Sequence, residues 1–102
     1  MNQMQQMMRQ AQKMQAQILK VQEEMADHRE EATAGGVVTV GASGKGQILD
    51  VRINPEAVHP EDAEMIQDLF VVAANEALDK AREAVERAMK KVTGGAGVPG
   101  LF

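Results

Sequence analysis

The sequence predicts an α+β fold in the order α-β-β-β-α, in which two long helices are joined through a small antiparallel sheet of two to three strands. Three observations predict it. Apolar residues in the first segment recur at alternating steps of three and four. From Val37 to Ile53 the pattern turns β-forming, with a glycine-rich turn in the middle. From Pro60 a second helical pattern runs to Val92, where Thr93-Gly94-Gly95 stops it.

The first helix is expected over residues 2–31. Met4, Met7, Ala11, Met14, Ile18, Val21, Met25 and His28 follow one another at steps of 3, 4, 3, 4, 3, 4 and 3, which is the a/d seam of a coiled coil. The residues between them are mainly Gln, Lys, Arg and Glu, all good helix formers. Such a helix would be about 45 Å long at about 1.5 Å per residue. The simplest use of its stripe is an intramolecular seam against the second helix. A methionine-rich surface for a partner is the other reading, since methionine adapts to many shapes. His28, the last residue of the stripe, fits packing or capping better than catalysis.

The sheet is expected over residues 31–54. Val37-Val38-Thr39-Val40 is strongly β-forming, Ser43-Gly44-Lys45-Gly46 is a turn, and Leu49, Val51 and Ile53 alternate onto one face. Glu31–Ala34 would be a third, edge strand, and Asn54-Pro55 ends the sheet. The second helix is expected over residues 60–92. Pro60 suits its first turn, while Glu61, Asp62 and Glu64 at one end and Lys90 and Lys91 at the other complement the helix dipole. Leu69–Ala74 is apolar all round, which predicts burial on more than one side. Asn75 beside it is expected to bond to nearby backbone. Residues 93–102 read as a flexible, Gly-rich tail. The candidate core and self-association residues are Val38, Val40, Leu49, Val51, Ile53, Ile66, Leu69, Phe70, Ala73 and Ala74.

A chain of 102 residues is expected to be one domain. Its apolar content is 44%, but 15 of these residues are alanine and 8 are methionine, and Phe70 and Phe102 are the only aromatics. That core is thin for a monomer, so self-association is expected to supply the missing burial. There is no cysteine, which excludes disulfides, zinc-thiolate sites and thiol chemistry. Met1–Gln10 lacks the apolar core of a signal peptide, and the longest apolar run, Leu69–Ala74, is far short of a membrane span. A cytoplasmic protein is expected.

Candidate chemical motifs fail on inspection. Gly44-Lys45 suggests a phosphate loop, but Thr39 stands where the pattern needs glycine and Gly46 where it needs Ser or Thr. His59-Pro60-Glu61 matches the start of a zinc-deaminase signature, but the cysteine pair is absent. No acid/base pair or metal cluster stands out, so no catalytic activity, cofactor, metal or small-molecule substrate is expected.

Charge is more informative. The net charge is −4, yet all fifteen acidic residues lie between positions 23 and 86. Arg9, Lys13 and Lys20 precede that region, and Arg87, Lys90 and Lys91 follow it. Antiparallel helices joined through a sheet would bring these two basic segments to one free tip, with Arg82 nearby. No aromatic lies among them to stack bases. Any nucleic-acid contact is therefore expected to use phosphates, on a duplex.

Taken in order, these segments resemble the YbaB/EbfC family of bacterial nucleoid-associated proteins. The resemblance rests on Gln10-Ala11-Gln12-Lys13-Met14-Gln15, Val21-Gln22-Glu23-Glu24, Gly35-Gly36-Val37-Val38-Thr39-Val40 with Gly44 and Gly46, and Ile53-Asn54-Pro55 with Asp62 and Asp68-Leu69. Ala73-Ala74-Asn75-Glu76-Ala77 and the tail from Thr93-Gly94-Gly95 through Pro99-Gly100-Leu101-Phe102 complete it. It covers essentially the whole chain. It implies a tweezer-shaped homodimer that binds DNA, associates with the nucleoid, influences gene expression and catalyses nothing. Carried onto this chain, it points to Arg9, Lys13, Lys20, Arg82, Arg87, Lys90 and Lys91 as the DNA-contacting residues. A chaperone-like or scaffolding module that clamps a protein between its long helices is the competing expectation, favoured if Met4, Met7 and Met8 are exposed.

Overall fold

The computed structural model describes residues 2–94, which form α1 (Gln3–Ala26), β1 (Arg29–Ala34), β2 (Val38–Ser43), β3 (Ile48–Ile53) and α2 (Ala63–Thr93). The expected order α-β-β-β-α is the observed one. The tail expected over residues 93–102 lies outside the described residues from position 95 onward.

Asn2 caps α1, its Oδ1 accepting from the Gln5 amide at 2.8 Å. The helix ends at Ala26, short of the expected Glu31. The His28 amide donates to Met25 O at 3.1 Å, and the Gly44 amide donates to His28 O at 2.9 Å, so the chain turns directly into the sheet. His28 therefore leaves the heptad stripe, and its ring pairs with Glu30 at 2.5 Å. Arg29 and Glu30, expected as helix, are strand because β2 offers each a ladder partner, Ser43 and Ala42; Glu31, expected where helix and edge strand meet, is strand opposite Gly41.

The sheet order is β1-β2-β3, all antiparallel. Val40 faces Ala32 on one side and Val51 on the other, and Val38 faces Ala34 and Ile53. One correction concerns β3. An irregularity between Gly41 and Ala42 places Ile48, rather than Leu49, opposite Ala42, so the expected alternation Leu49–Val51–Ile53 breaks at its first member.

Before α2, one turn of 3-10 helix spans Pro60–Asp62, and the His59 amide donates to Asp62 Oδ2 at 3.3 Å. The α-helix proper thus begins at Ala63 rather than Pro60. Its face toward the sheet is Ala73, Ala77 and Ala81 with Ala74 beside them, all buried against Ala32, Ala34, Val38, Val40 and Ala42. Ile66, Leu69, Phe70 and Leu78 pack around this cluster, half-buried. Small residues on both surfaces let helix and sheet approach closely. The largest fully buried side chains are only Val38 and Val40.

α2 lies over β1 and β2 and leaves β3 uncovered. Leu49, Val51 and Ile53, expected in the core or in a self-association surface, are consequently 50%, 40% and 44% exposed within one chain. Val71 and Val72 are also exposed, so within one chain the Leu69–Ala74 segment is buried on one side only. Asn75 is exposed, and among the described residues its side chain makes no hydrogen bond to backbone.

α1 runs antiparallel to α2 but staggered. Gln17, Lys20, Val21 and Glu24 lie beside Lys91 and Val92, and Gln22 and Ala26 lie beside Leu78, Val85 and Met89. Only Ile18, Val21, Met25 and Ala26 of α1 are even half-buried; Gln3–Gln17 is exposed throughout. The expected intramolecular seam is therefore real from Ile18 to Met25 and absent from Met4 to Met14. α2 ends too early to supply the other half.

The α1–β1 junction crosses the β2–β3 turn at Gly44. A Cβ there would collide with the carbonyl of Met25. Gly44→Ala should lower stability by about 1–3 kcal/mol through forced displacement of that junction. Thermal denaturation followed by circular dichroism checks this, and a melting temperature unchanged from wild type would contradict the tight crossing.

Candidate nucleic-acid interface

The seven basic residues singled out in the sequence are all exposed or half-exposed, but they do not share one tip. Arg9 and Lys13 lie on the part of α1 that outruns α2. With Gln6 and Gln10 they line a shallow concavity one helix face wide. Lys20 lies further down α1, on the same concavity as Lys91. Lys90 occupies the same last turn of α2, and Arg87 the turn before it. The stagger thus separates a distal pair, Arg9 and Lys13, from a proximal group at the end of α2.

Their availability also differs. Arg82 is held by Asp79 at 3.1 Å and Glu86 at 3.7 Å. Lys20 reaches Glu24 at 4.0 Å. Among the described residues, Arg9, Lys13, Arg87, Lys90 and Lys91 make no ion pair. Five cations therefore remain without intramolecular partners on helical surfaces, which suits them to a polyanion.

The body treats its charges differently. On the sheet face away from α2, Arg29 donates to Asp50 at 2.7 and 2.9 Å and to Glu31 at 2.6 Å, and Arg52 donates to Glu31 at 2.8 Å. The Arg29 guanidinium reaches across the middle strand over Gly41, where any Cβ would collide with it. Hydrogen bonds from Arg29 hold the carboxyls of Asp50 and Glu31 below their ordinary range, against the partial cost of desolvation. The same bonds, Asp50 first, raise the guanidinium of Arg29. Sequence reasoning missed this network. The available signal was the alternation Arg29-x-Glu31 and Asp50-x-Arg52 on strands flanking a glycine.

On the opposite sheet face, the part that α2 leaves uncovered is apolar. Ile48, Leu49, Val51 and Ile53 line the free edge, and Met65, Val71 and Val72 are exposed on α2. An apolar cavity of about 700 Å³ opens between the end of α1, the β2–β3 turn and α2, lined among others by Ala26, Leu78, Val85 and Met89. No described helix is long and apolar enough to cross a membrane.

The chain is similar to known proteins over nearly its whole length. The model of the YbaB/EbfC DNA-binding family matches residues 1–96. A nucleoid-associated protein of Desulforamulus reducens is 53% identical, the match covering 97% of this chain and 95% of that one. One from Moorella thermoacetica is 50% identical over 99% of this chain and 98% of its own. A crystal structure of an uncharacterized protein from Helicobacter pylori superposes with a TM-score of 0.58 at 25% identity, covering 82% of this chain and 94% of that one.

The Arg29 network has a pH signature. Asp50 and Glu31 have lower pKa values folded than unfolded, so they add stability above the unfolded carboxylate range and lose it as pH falls through their folded values. The denaturation midpoint should therefore drop below about pH 4, near ordinary carboxylate pKa values. Arg29→Gln should flatten that drop while leaving the plateau near neutrality only slightly lower, because exposed pairs are screened by solvent. Urea denaturation from about pH 2.5 to 7 spans that range and reads both, and identical acid limbs in the two proteins would refute the assignment.

Proposed function

The chain belongs to the YbaB/EbfC DNA-binding family, and from that premise we propose that it is a non-enzymatic nucleoid-associated protein that grips duplex DNA as a homodimer. In this reading it resides in the cytoplasm on the bacterial nucleoid, contacts phosphates rather than bases, and influences nucleoid organisation and gene expression. It needs no cofactor.

The observation that carries the reading is the set of five cations that make no ion pair among the described residues, Arg9, Lys13, Arg87, Lys90 and Lys91, on helical surfaces of a chain whose net charge is −4. Lys20 joins them. Arg82, already flanked by two carboxylates, contributes least. A polyanion should meet these positions and be repelled elsewhere. The absence of aromatics among them favours backbone contact without base stacking.

The homodimer rests on the uncovered edge. β3 presents unpaired backbone groups and exposed Val51 and Ile53, and Val71 and Val72 add apolar area on α2. An edge strand of this kind invites pairing with another chain. A second copy satisfies it and supplies the burial that a core limited to Ala, Val and Met lacks. Dimerisation also doubles each basic group.

A protein-clamping reading has one observation in its favour: Met4, Met7 and Met8 are exposed. Protein partners recovered in a pull-down after nuclease treatment, with no DNA binding by the purified protein, would favour it over the DNA reading.

Mobility-shift titrations test the proposal. Lys13→Glu and the pair Lys90→Glu, Lys91→Glu should each weaken binding uniformly across sequences. The slope of log affinity against log salt should shrink by about 0.9 for each phosphate no longer neutralised. Arg82→Ala should change little. Undiminished binding by the Glu variants would sink the proposed interface. Separately, Val51→Lys should convert the dimer to monomer in sedimentation, and a dimer that survives it would place the subunit interface elsewhere.

A further inference from the structure

The most conspicuous feature left unused is the apolar stripe on the projecting half of α1. Met4, Met7 and Met14 are 69%, 69% and 42% exposed. They continue, in heptad register, the stripe whose Ile18, Val21 and Met25 are half-buried beside α2. Nothing among the described residues lies opposite them. The projecting part, residues 3–17, is about 22 Å long at about 1.5 Å per residue.

The residues flanking the stripe say what can lie against it. With Met4 and Ala11 at a and Met7 and Met14 at d, the e and g positions of residues 3–17 are Met8, Gln15, Gln3, Gln10 and Gln17. None is charged. Arg9 falls at f and Lys13 at c, on the far side of the helix. In coiled coils e/g charges select or reject partners. Here a second copy meets no repulsion at the seam, and glutamines on both sides can exchange hydrogen bonds. A partner bearing a charged seam would gain nothing to pair with.

We propose that this stripe is a self-association surface, on which the projecting half of α1 pairs antiparallel with the same segment of a second copy. The proposal rests on the homodimer reading for the body and adds a second, separate interface that links one dimer to another. The antiparallel sense follows from charge. Residues 1–17 carry Arg9 and Lys13 and no acid, so with a total of −4 the remaining residues carry −4 − 2 = −6. Antiparallel arms keep those negative bodies at opposite ends, whereas parallel arms would set them side by side. The a-to-d′ layers are then Met4 with Met14 and Met7 with Ala11. Arg9 and Lys13 of both copies face outward on opposite sides of the two-helix unit, placed to hold two duplexes rather than one. A pairing of two heptads is weak by itself, so it depends on protein concentration and on the two arms of each dimer acting together.

The chain has no cysteine, which makes the test direct. Met7→Cys and Ala11→Cys are made separately and mixed under mild oxidation. Antiparallel pairing gives a disulfide in the mixture and little in either protein alone. Self-crosslinking of Met7→Cys alone means parallel arms and overturns the proposal. No crosslink in any sample, with a sedimentation mass that does not rise with concentration, also overturns it. Crosslinking that appears only after removal of residues 95–102 means that this segment covers the stripe, which overturns it too. The double variant Met7→Glu, Met14→Glu should weaken dimer–dimer association at least about tenfold and leave the dimer intact. Gln12→Glu, a charge on the outer face, should not change it. Val51→Lys separates the two readings. If it yields monomers that still crosslink through the arms, both stand. If dimers persist with Val51→Lys but the arms never crosslink, both fail, each by its own readout.

Discussion

The close approach of α2 to the sheet determines the rest of the structure. Ala73, Ala77 and Ala81 present almost no side chain, so the helix settles onto Ala32, Ala34, Val38, Val40 and Ala42. A helix about 10 Å wide covers roughly two strands at about 4.8 Å spacing. It covers β1 and β2, and β3 is left over. Larger residues at the alanine positions would lift the helix and open the core rather than widen the cover. The exposed Val51 and Ile53 are therefore a geometric consequence of the small-residue packing. The same packing fixes the direction of α2, and through Gly44 and His28 the direction in which α1 departs.

Charge follows the same division between a closed body and open helices. On the sheet, Arg29 and Arg52 are engaged by Glu31 and Asp50, and the row is completed by a Thr33–Thr39 hydroxyl hydrogen bond at 2.8 Å. Lys80 is engaged as well, donating to Glu31 O at 3.1 Å. Arg29, Arg52 and Lys80 thus have intramolecular partners, as do Lys20 and Arg82 on the helices. Among the described residues, Arg9, Lys13, Arg87, Lys90 and Lys91 on the helices and Lys45 in the β2–β3 turn make no ion pair. Pairing state, more than the count of basic residues, singles out those five helical cations from Lys20 and Arg82.

Most of the fold is legible in the sequence because its signals are local. The heptad steps, the β-branched run at Val37–Val40 and the stop at Thr93-Gly94-Gly95 each report on their own neighbourhood. What the sequence hides depends on distance. The pattern carries α1 up to the edge strand expected from Glu31 because Arg29 and Glu30 are acceptable helix residues, and only β2 makes them strand. It assigns the seam from Met4 to Met14 to α2 because helix lengths can be read from a sequence and their stagger cannot. It places Leu49, Val51 and Ile53 in a core or a self-association surface without choosing between them, because alternation marks one face of a strand, while what lies on that face depends on where the helix sits. The basic residues are identifiable by position, but the capture of Arg82 by Asp79 and Glu86 emerges only with side-chain geometry.

An acidic protein that contacts DNA must keep its own acids away from the phosphates, and the stagger supplies the distance. Arg9 precedes Glu23, the first acidic residue, by fourteen positions, which is about 21 Å along a helix at about 1.5 Å per residue. Lys13 is about 15 Å away on the same scale. The Debye length at physiological salt is about 8 Å, so a phosphate at either residue meets two cations and little of the −6 carried by the remainder. Had α1 and α2 ended level, the free tip would have gathered more cations, but on a shorter lever closer to the acidic body. The bare stripe on residues 3–17 is the physical cost of that reach, since a helix that outruns its partner must leave its seam open. Lys90 and Lys91 gain less from distance: they share the end of α2 with Lys20, within a few residues of Glu24 on the neighbouring helix. Distance therefore protects the distal pair, while the proximal group relies on the number of cations gathered around the last turn of α2.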